Sequence, residues 1–186
     1  MIDSAFSSLS TTSEASNILI FGNSGSGKST LAKELCLERG LAHLDLDIVA
    51  WEDAPMPKRM PLEASKEKIE KFLAQHKGWV VEGCYTDLLE ILVPESTEII
   101  FLNLSVDLCR ANAQQRPWEP HKYQSKQEQD ANLDMLLEWI AQYTNRNDTF
   151  SFDSHRAFYD QYPGKKTMFI GNQRARQRSQ KLTSKT

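Results

Sequence analysis

The chain predicts an α/β fold built on a parallel sheet with helices on both faces. Short, continuously apolar runs alternate with helical segments. That is the pattern of strands buried on two faces and joined by helical crossovers. The first such run, Asn17-Ile18-Leu19-Ile20-Phe21, leads directly into Gly22-Asn23-Ser24-Gly25-Ser26-Gly27-Lys28-Ser29-Thr30 and then into Leu31-Ala32-Lys33-Glu34-Leu35. This is strand, G-x-x-x-x-G-K-[ST] loop and helix in that order, the context in which the motif cradles phosphates.

The remaining elements follow in chain order. The first helix runs from Lys28 to Arg39 and stops at Gly40. A short strand over Leu41–Leu44 ends in Asp45-Leu46-Asp47. After Trp51, a turn-rich stretch covers Pro55 to Pro61. Ile69, Phe72 and Leu73 share one face of a helix over Leu62–Gln75. Trp79–Glu82 reads as a third strand ending at Gly83, and Tyr85–Leu92 as a short helix closed by Pro94. Glu98–Leu102 is the fourth strand, followed by a helix from Val106 to Arg116 that ends at Pro117. Two prolines make Arg116 to Tyr123 extended or loop-like. Leu133, Leu136, Leu137, Ile140 and Tyr143 mark an amphipathic helix. Ser154–Tyr162 is a further helix, and Lys165–Ile170 a last strand.

At 186 residues the chain suits one domain with a sizeable core. We expect that domain over 17–171, with a lid at about 110–146. Residues 1–16 read as a Ser/Thr-rich disordered leader, and 172–186 as a basic disordered tail. No apolar run approaches the roughly 20 residues of a membrane helix, and the N-terminus lacks the basic start and apolar core of a secretory signal. The net charge of -3 argues against a nucleic-acid binder, except through the tail, where Arg174, Arg176, Arg178, Lys181 and Lys185 stand without an acid. Cys36, Cys84 and Cys109 are too scattered for a disulfide framework or a zinc site. They read as packing residues in a reducing cytoplasm. The oligomeric state is not legible.

Ligands of such sheets bind beyond the C-terminal ends of the strands, so the chemistry is expected just after each strand. In the loop, glycines let backbone N–H groups turn toward phosphate oxygens, and the helix N-terminus adds donors and partial positive charge. Lys28 reaches the β- and γ-phosphates, and Ser29 takes a place on Mg²⁺. Asp45 and Asp47 lie two apart. If that segment stays extended, both carboxylates project from one face, one for Mg²⁺ and one to orient or deprotonate an acceptor hydroxyl. Glu82 is a candidate for metal or acceptor contact, with Gly83 allowing close approach of a ligand. Trp51 and Tyr85 are candidates to line the acceptor pocket. Arg116, at the hinge of the proline-rich stretch, and Arg146, after the amphipathic helix, are candidate phosphate contacts. Arg110 faces away from Arg116. His121 and His155 have no Ser or Cys partner pattern and are not expected to act as bases.

The order of these motifs resembles the adenylate-kinase-like branch of P-loop kinases. It is similar above all to the small bacterial AAA-labelled ATPases known as shikimate-kinase-like or DNA topology modulation-related proteins. The resemblance rests on the glycine loop, His43-Leu44-Asp45-Leu46-Asp47 with Trp51, Trp79-Val80-Val81-Glu82-Gly83-Cys84-Tyr85, Ile99–Leu102, Arg116–Tyr123 and Tyr143-Thr144-Asn145-Arg146. It implies a P-loop NTPase three-layer sandwich, a five-stranded parallel sheet with a helical lid. It also implies Asp45 on Mg²⁺ and Asp47 on the acceptor hydroxyl, as in the Asp-x-Asp of shikimate kinases. Three positions depart from the family. Asn112 stands at the first position of the lid R-x-x-x-R of adenylate kinases, with Arg116 at the second. Asn103 replaces an aspartate, which leaves the metal role to Asp45. Glu82-Gly83-Cys84 stands where shikimate kinases have three glycines.

The expected function is an ATP- and Mg²⁺-dependent phosphotransferase acting on a small-molecule or nucleotide acceptor. The alternative is a P-loop ATPase or nucleotide-binding regulator without such an acceptor. No N-K-x-D guanine-reading motif occurs.

Overall fold

The computed structural model describes residues 16–53, 57–120 and 123–172. The expected leader up to residue 15, the basic tail from 173, the middle of the turn-rich stretch at 54–56, and His121 and Lys122 lie outside the described residues.

Five strands form one parallel sheet: β1 (Asn17–Gly22), β2 (Ala42–Asp45), β3 (Trp79–Gly83), β4 (Glu98–Leu102) and β5 (Lys165–Phe169). Their order across the sheet is β2-β3-β1-β4-β5. β1 therefore sits in the middle, flanked by β3 and β4. All three of these strands are almost wholly buried, as their largely apolar sequences require. The side chains of β1 alternate between two cores. Leu19 and Phe21 join Val81, Ile99 and Phe101 on one face, and Ile18 and Ile20 join Val80, Ile100 and Leu102 on the other.

The first face is covered by α3 (Leu62–Gln75), α4 (Thr86–Leu92) and α8 (Phe152–Gln161), through Ile69, Leu88, Leu89, Leu92 and Phe158. The second is covered by α1 (Lys28–Arg39), α5 (Val106–Gln115) and α7 (Leu133–Ala141), through Leu31, Leu35, Cys109, Leu137 and Ile140. Two short helices complete the fold, α2 (Asp47–Ala50) and α6 (Lys126–Ala131). Among the described residues no helix is long and apolar enough to cross a membrane.

The structure refines several sequence expectations. Strand two is shifted by one residue and ends at Asp45, and Leu46 is already helical. Ser151 caps α8 by accepting the Ser154 N–H, so this helix starts two residues before Ser154. The stretch expected as one helix from Leu133 to Tyr143 tightens into a 3₁₀ turn over Gln142–Thr144. α6, capped by Ser125, is polar but for Ala131, so hydrophobic periodicity could not reveal it.

Candidate functional site

β1 ends in Gly22, whose φ of 145° and closeness to β4 exclude a side chain. A Cβ there would lie 2.4 Å from the Leu102 carbonyl oxygen. The loop then bends at Gly25 (φ 74°), which packs against α5 so tightly that a Cβ would lie 2.3 Å from the Cys109 carbonyl oxygen. Gly27 (φ 83°) occupies the N-cap of α1. The Lys28 ammonium donates to the Asn23 carbonyl at 3.0 Å, bridging the loop. The Asn23 side chain donates to the Ile140 carbonyl at 3.1 Å and ties the loop to α7.

Around this loop opens a cavity of about 670 Å³. Ser24, Gly25, Gly27, Lys28, Ser29 and Thr30 form its floor. Asp45, Asp47, Glu82 and Gly83 form one wall, and Arg116 stands in the roof. Asp45 and Glu82 are register partners across β2 and β3. Neighbouring parallel strands therefore deliver both carboxylates to the same end of the sheet.

The premise that Asp45 and Asp47 share the face of an extended strand does not hold. The chain turns at Leu46, and the Asp47 N–H donates to Asp45 Oδ1 at 2.9 Å as α2 begins. The two carboxylates line the same cavity because the chain turns, not because it alternates.

Glu82 is 2% exposed. Burial alone would push its carboxyl up. His43, the Lys28 ammonium and the Ser29 hydroxyl outweigh that and the opposing Asp47 charge, and hold it below the ordinary carboxylate range. The His43 Nε2 lies 3.7 Å from its Oε1.

Trp51 and Tyr85 do not line the cavity; they stand behind Asp47. The Tyr85 hydroxyl donates to Asp47 Oδ1 at 2.6 Å and accepts from Trp51 Nε1 at 2.7 Å. Burial, with the Asp47 charge adding to it, raises the Tyr85 hydroxyl well above its ordinary value, so it serves as a donor. The Arg59 guanidinium lies 4.8 Å from the centre of the Tyr85 ring and pairs with Asp87 at 2.9 Å, bracing this group from behind. The Cys84 thiol in the cavity wall is pushed up to about 12 by burial, which keeps it protonated.

Arg116 caps α5 at its C-terminus. Its Nη1 pairs with Glu119 at 3.1 Å inside the cavity. Arg146 is not brought to the cavity: its guanidinium lies 3.5 Å over the Trp139 ring on α7. Asn103 points away as well, its amide 3.5 Å from the Met168 sulfur. Gly22, Asn23 and Ser26 support the loop from below and do not line the cavity.

His155 is fully buried between the Tyr143 hydroxyl (2.7 Å) and the Cys84 carbonyl (2.9 Å). It ties the 3₁₀ turn after α7 to the loop after β3. Asn112, Glu119 and Asn172 also line the cavity and were not expected there. For Asn112 a signal existed, since it lies one turn before Arg116 on the same helical face.

The oxygen donors of Ser29, Asp45 and Glu82 suit a hard divalent cation. Among the described residues no three His, Cys, Asp or Glu side chains converge on one point. A cation here would complete its shell with phosphate oxygens and water, the usual habit of Mg²⁺.

No family model matches the chain. Over 134 residues it is 28% identical to the uncharacterized protein YqaC of Bacillus subtilis (strain 168), covering 69% of this chain and 73% of that one. Solved structures with a similar fold include an unliganded sugar kinase from Janibacter sp. HTCC2649 (TM-score 0.52, 12% identity, 91% of this chain and 93% of that one). Shikimate kinase from Bacteroides thetaiotaomicron is comparable (TM-score 0.51, 18% identity, 91% and 98%). The fold is that of the P-loop kinases. At these identities the likeness concerns the fold.

Proposed function

We propose that the protein is an ATP- and Mg²⁺-dependent phosphotransferase that phosphorylates a hydroxyl of a small molecule. One observation carries the reading: the glycine loop and three carboxylates, two on neighbouring strand ends and Asp47 just past the turn after β2, share a single cavity roofed by an arginine. In this reading the loop amides and Lys28 hold the β- and γ-phosphates. Ser29, Asp45 and Glu82 hold the cation, which when bound neutralises charge on the phosphate oxygens.

Asp47 orients the acceptor hydroxyl and takes its proton as the acceptor oxygen bonds to the γ-phosphorus. The bond from that phosphorus to the β,γ-bridging oxygen breaks, and ADP leaves with the electron pair. Tyr85 and Trp51 hold Asp47 in the rotamer this requires, so they are positioning residues. Arg116 exchanges Glu119 for a phosphate and stabilises the charge spread over the transferring group. Most of the catalysis is positioning and preorganised charge.

The test is label transfer from γ-labelled ATP, with Mg²⁺, onto a panel of nucleosides, nucleotides, sugars and sugar acids. The expected result is label on one acceptor class, abolished by Lys28→Ala. Release of inorganic phosphate alone across the whole panel would overturn the reading.

A further inference from the structure

Gly83, Cys84 and Tyr85 follow one another where β3 ends. The first two line the cavity, and Tyr85 reaches back to hold Asp47. The direction of the Tyr85 ring depends on the main chain that carries it. On the far side, the Tyr85 carbonyl accepts the Leu88 and Leu89 N–H groups at 3.1 and 2.9 Å, where α4 begins. On the near side, the peptide that enters Tyr85 presents the Cys84 carbonyl. A side chain seventy-one positions away holds it, His155 Nε2 at 2.9 Å.

A carbonyl only accepts, so Nε2 carries the imidazole hydrogen. Nδ1 is then the acceptor, and the Tyr143 hydroxyl donates to it at 2.7 Å. Burial raises the Tyr143 hydroxyl well above its ordinary value and keeps it a donor. One neutral tautomer therefore satisfies both ring nitrogens. His155 is wholly buried, with the Phe21 and Phe101 ring centres 5.7 and 6.1 Å from its own. Among such neighbours an apolar side chain would pack without the desolvation cost of an imidazole. What the imidazole adds is direction. It fixes the Cys84 peptide, and Tyr143, in the 3₁₀ turn after α7, fixes it in turn. The same end of α7 holds the glycine loop, through the Ile140 carbonyl and Asn23.

We propose that His155 is a positioning residue for Asp47: through the Cys84 peptide it sets the angle at which the Tyr85 hydroxyl meets that carboxylate. The consequence for catalysis rests on the reading of Asp47 as the base of a phosphotransferase; the link from His155 to Tyr85 does not.

Trp51 reports on that link, because its indole N–H donates to the Tyr85 hydroxyl. The experiment follows the four indole N–H signals of the isotope-labelled full chain by NMR, the Trp51 signal being identified by its loss in Trp51→Phe. His155→Phe keeps a ring in the core and removes both hydrogen bonds. In it the Trp51 N–H signal moves upfield and exchanges with solvent about ten-fold faster. The signal of Trp79, buried at the start of β3, stays in place. His155→Gln, which restores one donor and one acceptor, returns Trp51 to its wild-type behaviour. On an acceptor that takes label from γ-labelled ATP, turnover in His155→Phe falls about ten-fold, while ATP-analogue affinity stays within about two-fold. In a Tyr85→Phe background the same substitution lowers turnover by less than about two-fold, since His155 acts through Tyr85. A Trp51 signal unmoved in His155→Phe, Trp51 and Trp79 disturbed together, or additive losses in the double variant overturn the proposal. Should His155→Phe fail to fold, Tyr143→Phe frees the imidazole from its anchor and carries the same readout: Trp51 moves without Trp79, or the proposal falls. If no acceptor takes label from the wild-type protein while Trp51 responds, the phosphotransferase reading falls and the positioning of Tyr85 by His155 stands.

Discussion

The floor and the roof of the cavity hold their shapes by different means. In the floor, Gly22 and Gly25 are pressed against the backbone of β4 and α5, with no room for a Cβ, and the loop is set by main-chain geometry before any ligand arrives. In the roof, residues 116–120 and 123–131 hang on side chains. Arg116 pairs with Glu119, the Glu119 N–H donates to Gln129 Oε1 at 2.8 Å, and Gln129 Nε2 donates to the Pro117 carbonyl at 3.1 Å. Trp118 donates to the Tyr123 carbonyl at 3.2 Å and is 44% exposed. A backbone-built floor is preorganised and intolerant of change. A roof made of side-chain pairs can exchange partners without rebuilding its backbone.

If that contrast is correct, the largest effects come from the floor and its wall. In the proposed reaction Asp47→Asn removes the proton acceptor, and phosphoryl transfer falls by about 10²- to 10⁴-fold. ATP-analogue affinity changes by less than about two-fold, because the phosphates are held elsewhere. Steady-state rates and calorimetry on the same preparation separate the two.

The next effect arises behind the cavity wall, at His155. Burial lowers its pKa from 6.5 to about 4, against the opposing hydrogen bond to the Cys84 carbonyl. Below pH 6.5 the unfolded chain takes up a proton that the folded state refuses. His155 therefore contributes full stability above pH 6.5, and that contribution is lost as pH falls toward 4, by about 3 kcal/mol in total. Urea unfolding at pH 7, 5.5 and 4 measures this, and His155→Gln flattens the dependence. An unchanged slope in the variant would show that carboxylates alone set the acid response.

Gly25→Ala sharpens the comparison within the floor. It forces a side chain into the Cys109 carbonyl at a positive φ and costs roughly 1–3 kcal/mol of stability, together with loss of nucleotide binding. Denaturant midpoints and nucleotide titration read these separately.

The smallest effect belongs to the roof. Glu119→Gln frees Arg116 from an ion pair that is about one-quarter exposed on both partners. ATP-analogue affinity rises about two- to five-fold. A decrease would mean that Glu119 holds the roof in its binding shape rather than competing with phosphate.

The same contrast explains how far the sequence can be read. The floor is local: β1, the loop and α1 are contiguous, and each glycine's role follows from its neighbours in a single motif. β4 matches its sequence-derived bounds, because unbroken apolar runs leave little choice. The two aspartates were found by position, but the turn at Leu46 that brings them together was not, since one-turn helices leave no periodic trace. Trp51 and Tyr85, expected to line the acceptor pocket, stand behind Asp47 instead. Their joint hold on Asp47 spans 38 positions from Asp47 to Tyr85 and needs the folded sheet. Arg146 falls over Trp139 because the helix tightens before it, and nothing in its flanks signals that.

The chain's own order of residues determined the α/β class, the glycine loop between β1 and α1 and the carboxylates near the strand ends, because each depends on interactions within one turn or one strand. The strand order, the pairing of Asp45 with Glu82, and the meeting of Asn112 with Asn172 sixty positions apart arise only when the sheet assembles. Those contacts depend on which apolar faces can be buried together, a choice made by the packed whole and not by any segment of it.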